Sequence, residues 1–290
     1  IKNKKIAMLN KEKLKNKFTI DYELNGGTID NPIYEYVKGD NLKLPVPLKN
    51  GYEFEGWYLE KAFYNKIVRI TKDMEENIVV YAKWKIIDYK INYNLNNGVL
   101  DNKFNSYNIE TDDFIIDMPT RIGYKFLGWT SSSNKKPTKD IEIKKGTVGD
   151  ISLVANWQIT NYNLNYNLKG GTVDNPVNSY NVEDDSFHLK KPTKTGYSFM
   201  GWTNEDIIKP NKTVSIEKGT IGDLFLSANW RLEYYDIKYE LNGGILENQI
   251  DFYTVESENF TIDMPKKRGY EFLGWSTIED NSPKKEMTIK

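Results

Sequence analysis

Few residues in this sequence have the chemistry of a catalytic or metal-binding site. The 290-residue chain contains no cysteine and one histidine, His188, which excludes thiolate nucleophiles, disulfides and Cys- or His-cluster metal sites. His188 lies between Phe187 and Leu189 in an alternating segment, at a position that recurs as Ile115 and Thr261. A catalytic imidazole would not be replaced so freely within one array. We therefore predict that the chain is not an enzyme and binds no cofactor.

Acidic residues gather at three equivalent points: residues 112–113, residues 183–185, and Glu256 with Glu258. Bunched carboxylates could bind Ca²⁺, which takes about six to eight oxygen ligands. Their spacing lacks the alternation of an EF-hand loop, and the first copy of the pattern offers only Asp40 there. Solvated turns are the favoured interpretation, and calcium binding is the alternative. No metal site is predicted.

The charge of the chain argues against polyanionic partners. Residues 1–17 carry seven Lys and one acid, Glu12, so that the remainder holds 33 basic and 40 acidic residues. The remainder is therefore net negative, whereas binding to nucleic acid requires a net positive surface. We interpret residues 1–17 as a Lys-rich linker or tail. No apolar run approaches about 18 residues, so no direct membrane insertion is expected. Because the chain begins with Ile1 and shows no signal peptide, we interpret it as a piece of a longer protein.

A period near 73 residues organises the sequence. The pair Gly-Tyr begins at residues 51, 123, 196 and 269, and Gly-Trp begins at residues 56, 128, 201 and 274, with the same steps of 72, 73 and 73. Ala-x-Trp closes each full copy, at residues 82–84, 155–157 and 228–230. Such self-similarity indicates a tandem-repeat protein. We predict repeat 1 at 18–85, repeat 2 at 86–158, repeat 3 at 159–231, and repeat 4 at 232–290, truncated before its last strand.

Within each repeat the apolar residues alternate with a period of two, which is typical of strands. In repeat 1 an opening strand covers residues 18–24 and a closing strand covers residues 78–84. A second strand ends before a proline, and Tyr-x-Phe-x-Gly-Trp forms a third. No segment of about 10 residues or more shows a convincing helical period. We predict mainly β modules with at most one short helix each.

Recurring aromatic residues are predicted to form the core of each repeat, because burying one removes about 150–250 Å² from water. The predicted core set is the seven tryptophans and the four Gly-Tyr tyrosines: Trp57, Trp84, Trp129, Trp157, Trp202, Trp230, Trp275, Tyr52, Tyr124, Tyr197 and Tyr270. The glycine before each first Trp predicts a chain segment or an indole packed closely over the backbone. A surface platform for sugar stacking is the alternative for these rings, which their strict period disfavours.

Residues that differ between repeats are better candidates for ligand contacts. Tyr58, Phe63 and Tyr64 are particular to repeat 1. The differing loops at 130–140, 203–212 and 276–285 also qualify, because loops tolerate variation while a scaffold holds them.

The links between repeats are constant in length. From the closing Trp of one repeat to an opening-strand Tyr of the next takes nine residues each time: 84 to 93, 157 to 166 and 230 to 239. The joining segments contain no Gly, Pro or Ser, unlike flexible tethers. We therefore predict a linear array with a constant step, a monomeric rod of roughly 100 Å at about 30 Å per repeat.

The three motifs in this order resemble the Listeria–Bacteroides repeat, also called the internalin B-repeat. Repeat 1 matches most closely, with YELNGG at 22–27, GYEFEGWY at 51–58 and YAKW at 81–84, and the resemblance covers about residues 18–290. It implies an α+β, β-grasp-like fold and no catalytic residues. Repeats 2 to 4 depart from the pattern after Gly-Trp, at Thr130, Thr203 and Ser276.

The resemblance also implies a location and a role. Repeats of this kind occur in large surface or secreted proteins of bacteria, where they commonly form a stalk beside adhesive domains. The expected function is a non-catalytic stalk or spacer that displays other domains from the bacterial envelope. The alternative is a direct adhesion module that binds a host surface protein or glycan through its repeat loops.

Overall fold

The computed structural model describes residues 17–101 and 103–290, and all regular structure in them is β-strand. The expectation of a mainly β chain is met. The described residues contain no helix, so the expected α+β, β-grasp-like detail is not supported. They therefore contain no helix of the length and apolarity that a membrane crossing requires. The predicted Lys-rich tail, apart from Lys17, lies outside the described residues.

The strands recur in the same order along the chain. Repeat 1 contains β1 (Lys17–Glu23), β2 (Glu35–Val37), β3 (Leu42–Lys43), β4 (Tyr52–Tyr58), β5 (Lys66–Ile67), β6 (Arg69–Ile70) and β7 (Ile78–Ile86). Repeat 2 contains β8 (Tyr89–Asn94), β9 (Ser106–Tyr107), β10 (Phe114–Ile116), β11 (Tyr124–Thr130), β12 (Ile141–Ile143) and β13 (Ile151–Ile159).

Repeat 3 follows the plan of repeat 2, and repeat 4 has fewer strands. Repeat 3 contains β14 (Tyr162–Asn167), β15 (Ser179–Tyr180), β16 (Phe187–His188), β17 (Tyr197–Thr203), β18 (Ser215–Ile216) and β19 (Leu224–Leu232). Repeat 4 contains β20 (Tyr235–Asp236), β21 (Phe252–Tyr253), β22 (Phe260–Ile262) and β23 (Met287–Ile289).

In repeats 1 to 3 the closing strand is central in the sheet. The strand orders are β2-β1-β7-β4-β5, β11-β13-β8-β9 and β15-β14-β19-β17, each accompanied by a two-stranded ribbon. The closing strand pairs in parallel with the opening strand, from Ile20↔Ile78 to Glu23↔Tyr81 in repeat 1. Its other edge pairs antiparallel with the Gly-Trp strand, where Trp57 faces Ala82. A central strand must be apolar on its covered face, which accounts for the Ile-x-Val-x-Ala-x-Trp alternation.

Each of repeats 1 to 3 has its own apolar core. In repeat 1 the buried cluster includes Ile20, Tyr36, Trp57, Val80 and Ala82. The equivalent residues are buried in repeats 2 and 3. Sequence reasoning did not single out the tyrosine of the second, short strand, although Tyr36, Tyr107, Tyr180 and Tyr253 recur with nearly the same period.

The chain divides into two compact units. One extends up to Gln158 and holds repeats 1 and 2, and the other, Ile159–Lys290, holds repeats 3 and 4. Each unit therefore contains one complete junction between adjacent repeats.

Candidate functional site

The first tryptophan of each complete repeat lies in the core. Trp57 is 2% exposed, and Trp129 and Trp202 are 0% exposed. In repeat 1 the indole N–H of Trp57 donates to the carbonyl of Pro45 at 2.8 Å. Each of these rings packs edge to face on the phenylalanine three residues earlier, at 5.3 to 5.4 Å between ring centroids. Trp275 of repeat 4 is half-buried.

The closing tryptophans of repeats 1 to 3 connect the closing strand to the end of the opening strand; we call this contact the closing-tryptophan lock. Trp84, Trp157 and Trp230 are half-buried against the core. Their indole N–H groups donate across 60 to 62 residues to the carbonyls of Leu24, Leu95 and Leu168, at 2.9 to 3.0 Å. That carbonyl immediately precedes the glycine-containing turn, so one ring holds the end of the opening strand against the closing strand.

The turn glycine is required by this indole. A Cβ atom at Gly27 would lie 2.5 Å from Cζ2 of Trp84, and a Cβ atom at Gly98 would lie 2.5 Å from Cζ2 of Trp157. Neither glycine has a positive φ, so the constraint is the close approach of the ring and not the backbone conformation.

The glycine before the first tryptophan has a different neighbour. A Cβ atom at Gly128 would lie 2.5 Å from the backbone nitrogen of Thr138, and a Cβ atom at Gly201 would lie 2.5 Å from the backbone nitrogen of Asn211. In repeat 1 the side chain of Lys66 takes this place over Gly56. The expected close approach therefore involves a crossing chain segment in repeats 2 and 3, and no indole in any of them.

The Gly-Tyr tyrosine of repeat 1 lies at the junction with repeat 2. The hydroxyl of Tyr52 donates to a carboxylate oxygen of Glu110. A Cβ atom at the preceding Gly51 would lie 2.7 Å from Cβ of Ile109, so this buried glycine packs directly against the next repeat. The carbonyl of Gly51 accepts from the amide of Ile87 in the link, at 3.0 Å.

The junction of repeats 3 and 4 has the same arrangement. The hydroxyl of Tyr197 donates to a carboxylate oxygen of Glu256, and Gly196 packs against the side chain of Val255. The amide of Glu233 donates to the carbonyl of Gly196 at 2.9 Å. The two junctions, which lie in separate units, thus use equivalent residues in the same roles.

A lysine and a carboxylate flank each junction tyrosine. Nζ of Lys49 lies 4.0 Å from the ring centroid of Tyr52, and Nζ of Lys194 lies 4.0 Å from that of Tyr197, at cation–π distance. The hydrogen bonds to Glu110 and Glu256 raise the pKa of the Tyr52 and Tyr197 hydroxyls, because ionised phenolates could no longer donate to a carboxylate.

The core assignment of the Gly-Tyr tyrosines is therefore corrected. Tyr52, Tyr124 and Tyr197 are half-buried and lie outside the three core clusters. Tyr270 of repeat 4 is 72% exposed. The junction partners, an apolar residue followed by glutamate, were missed. Their signal in the sequence is the recurrence of Ile-Glu at 109–110 and Val-Glu at 182–183 and 255–256.

The candidate catalytic and calcium-binding residues lie on exposed surfaces. His188 is exposed on β16, opposite Ser215. The acidic turns of repeats 2 and 3 contact lysines of the facing loop: Lys145 Nζ lies 2.9 Å from Asp112, and Lys218 Nζ lies 3.1 Å from Asp185. The described residues contain no group of three or more His, Asp or Glu side chains arranged to bind a metal.

Two of the three aromatic residues particular to repeat 1 contact each other near the surface. Tyr58 and Phe63 meet edge to face at 5.4 Å, and Nζ of Lys83 lies 5.6 Å from the Tyr58 ring centroid. Tyr64 is 82% exposed. Phe63 has a φ of 59°, which is uncommon for a bulky side chain.

Comparison with protein families accounts for the recurring pattern. The model of the Listeria-Bacteroides repeat domain matches four successive segments, residues 18–83, 89–156, 162–229 and 235–290. The chain belongs to the Listeria-Bacteroides repeat family. The closing-tryptophan lock and the two junctions are thus features of tandem Listeria-Bacteroides repeats in this chain.

Several proteins with related sequences are larger than this chain. It is 29% identical over 270 residues to a "Putative Gly-rich membrane protein" of Evansella cellulosilytica, covering 90% of this chain and 30% of that protein. It is 27% identical over 278 residues to a "Putative membrane protein" of the same organism, covering 92% and 40%. The chain therefore spans less than half the length of these two relatives.

A third relative matches over a shorter segment. The chain is 28% identical over 105 residues to "Internalin H" of Listeria monocytogenes, covering 36% of this chain and 19% of that protein. No solved structure matches the chain of Listeria-Bacteroides repeats.

Proposed function

We propose that this chain is a non-catalytic stalk segment of a bacterial cell-surface or secreted protein, and that its repeats hold other domains of that protein away from the envelope. The observation that carries this proposal is the junction. A spacer must fix the orientation of each repeat relative to the next, and the Tyr–Glu hydrogen bond with the Gly–apolar contact, which occurs in both units, supports such a fixed junction. Repetition of one step produces an extended array.

The names of the relatives support the proposed location. Two are named as membrane proteins and one is an internalin. The surface chemistry supports a non-catalytic role, because His188 is exposed and the acidic turns of repeats 2 and 3 are paired with lysines through Asp112 and Asp185. We propose that the chain is monomeric and contacts neither nucleic acid nor the membrane interior.

Distance measurements between spin labels test the proposed stalk. The chain has no cysteine, so Lys61→Cys with Lys139→Cys places one label in each of repeats 1 and 2, both at exposed positions. A fixed junction predicts a narrow distance distribution, which broadens when Ile109→Asp and Glu110→Ala are added. Labels at Asp30→Cys and Lys61→Cys, both within repeat 1, are the control and should not respond. A broad distribution in the unaltered junction would refute the stalk.

Direct adhesion is the second candidate function, and the surface contact of Tyr58 with Phe63 and Lys83, together with the exposed Tyr64, favours it. Exposed aromatic rings are common in recognition surfaces for sugars and proteins, and the exposed Tyr64 ring contributes such a surface. Glycan arrays and binding to host cell-surface proteins, each compared with Tyr58→Ala and Tyr64→Ala variants, distinguish the two functions. The stalk function predicts no binding in either assay.

A further inference from the structure

The sheet of repeat 3 has one face on its core and one face open to solvent. Leu164 of β14 and Leu226 of β19 belong to the buried core. Because successive side chains of a strand point to opposite faces, the residues between the core positions lie on the open face. On these two strands they include a row that we call the Asn–Phe strip: Asn163, Asn165, Asn167, Phe225 and Ser227.

The ring of Phe225 is unusual for its position. It is 70% exposed, although β19 lies inside its sheet, between β14 and β17. Its counterparts are Val79 in repeat 1 and Ser152 in repeat 2, so the fold does not require an aromatic residue there. The ring therefore offers a flat apolar surface to a ligand, directly beside the exposed Asn165 with which it is paired in the sheet.

The two outer amides of the strip are positioned by local hydrogen bonds. Nδ2 of Asn163 donates to Asp223 at 3.4 Å, and Oδ1 of Asn167 accepts from the amide of Lys169 at 3.3 Å. Both side chains retain further donor or acceptor capacity, because an Asn amide has two donor hydrogens and an acceptor oxygen. The row from Asn163 to Asn167 is about 13 Å long, which suits a short linear oligosaccharide.

The strip is uncharged, and this restricts the ligand. On the same face of β19 the ionic side chains are Asp223, just before the strand, and Arg231 near its end. Beyond residues 1–17 the chain carries 33 basic and 40 acidic residues, so an anionic polymer would be repelled and would find no ionic partner in the strip. Saccharide hydroxyls are uncharged and can both donate and accept, as the side chains of the strip do.

We propose that the Asn–Phe strip binds an uncharged oligosaccharide of a partner surface. The C–H face of one sugar ring lies on Phe225, and its hydroxyls pair with the amide of Asn165 and the hydroxyl of Ser227. An aromatic surface with a few placed polar groups is the usual composition of a small-molecule site. The site rests on the second candidate function, direct adhesion, but lies on a sheet face and makes no use of the junctions on which the stalk depends.

The probe is an array of neutral oligosaccharides of N-acetylglucosamine, galactose and mannose beside sialylated and sulfated ones, tested with the full 290-residue chain. We expect binding to neutral members. Phe225→Ser should weaken it at least about tenfold, because it removes the aromatic anchor. Asn165→Asp should weaken it similarly, since it replaces a donor by a charge. Both new residues occur at these positions in other repeats, as Ser152 and Asp21, so the variants should fold.

The matched control is Tyr64→Ala, which removes an 82% exposed ring outside the strip and should bind like the unaltered chain. In NMR spectra the bound oligosaccharide should shift amide signals at residues 163–167 and 225–227. Silence of all neutral members, binding to anionic members alone, or full binding by Phe225→Ser would overturn the proposal.

Two further outcomes separate this site from the functions proposed above. Binding that is lost in Tyr64→Ala and kept in Phe225→Ser would overturn the strip and support adhesion through repeat 1. The spin-label distances between repeats 1 and 2 should be unchanged in Phe225→Ser, so the stalk function stands or fails separately.

Discussion

The hydroxyl of Tyr52 is hydrogen-bonded to Glu110, 58 residues away in the next repeat. Tyr197 and Glu256 repeat this relationship across 59 residues. In both cases the glycine before the tyrosine packs against the apolar residue before the glutamate. In repeats 1 and 3 the Gly-Tyr motif therefore serves the contact with the next repeat more than the core of its own repeat.

The tyrosine–glutamate bond predicts a shifted titration. Because the folded pKa of Tyr52 is raised, the stabilisation that it contributes is present below the usual tyrosine pKa of about 10 and is lost as pH rises through the folded value. Glu110→Gln retains an acceptor but removes the charge, and should move the pKa of Tyr52 back towards the usual value. NMR of Cζ-labelled tyrosine measures this directly, with Tyr197 as the internal control. No change at Tyr52 would contradict the junction geometry.

Removal of the buried indole in repeat 2 should unfold that repeat. Trp129 is 0% exposed, and replacing a core tryptophan by alanine costs about 3–5 kcal/mol. A module of this size has little more stability than that. Urea denaturation of Trp129→Ala, monitored by circular dichroism, should show an additional transition at a lower urea concentration than in the unaltered chain. Ile122→Ala in the same repeat, at a 78% exposed site, should stay within about 0.5 kcal/mol of the unaltered chain.

The turn glycines provide a comparison that isolates the closing indole. Gly98→Ala brings a methyl group to 2.5 Å from Trp157, whereas Gly244→Ala meets only carbonyl oxygens and a lysine side chain at 3.2 Å or more. Overpacking of this kind costs about 1–3 kcal/mol. We expect Gly98→Ala to lower the free energy of unfolding of repeat 2 by that amount and Gly244→Ala to have a much smaller effect on repeat 4. Equal effects of the two substitutions would mean that the Trp157 ring moves aside without a loss of stability.

Burial of Tyr93 predicts a loss of stability in alkali. Desolvation, with a smaller effect from Asp117, raises the pKa of Tyr93 to about 12. Its protonated form is therefore favoured in the folded state, and the associated stabilisation falls as pH rises from about 10 towards 12. Tyr93→Phe should reduce the decline in the free energy of unfolding over this range. Tyr64→Phe makes the same chemical change at an 82% exposed site. Its free energy of unfolding should follow that of the unaltered chain over the same pH range.

The alternation of apolar residues and the 73-residue period indicate the strands and the repeated module, because both signals depend on residues close in sequence. Strand pairing is not specified by these local signals. The parallel contact between Ile20 and Ile78 joins segments 58 residues apart, and periodicity alone does not specify which strand becomes central. The short strand around Tyr36 was missed because three residues are too few to establish an alternation.

The role of the tyrosines could not be read from their recurrence. A ring that recurs once per repeat fits a core position and a junction position equally well, since both repeat with the module. Only the location of the partner distinguishes them, and for Tyr52 that partner is Glu110 in the next repeat. The helix that the β-grasp resemblance implied had no support from a helical period in the residues themselves.

The parallel pairing of the first and last strands has a mechanical consequence. In repeat 1 the chain enters at the start of β1 and leaves at the end of β7, and these neighbouring strands run in the same direction. Tension applied to the two ends would therefore slide one strand along the other in shear. The hydrogen bonds from Ile20↔Ile78 to Glu23↔Tyr81 would then bear the load together, and none could be peeled away before the rest.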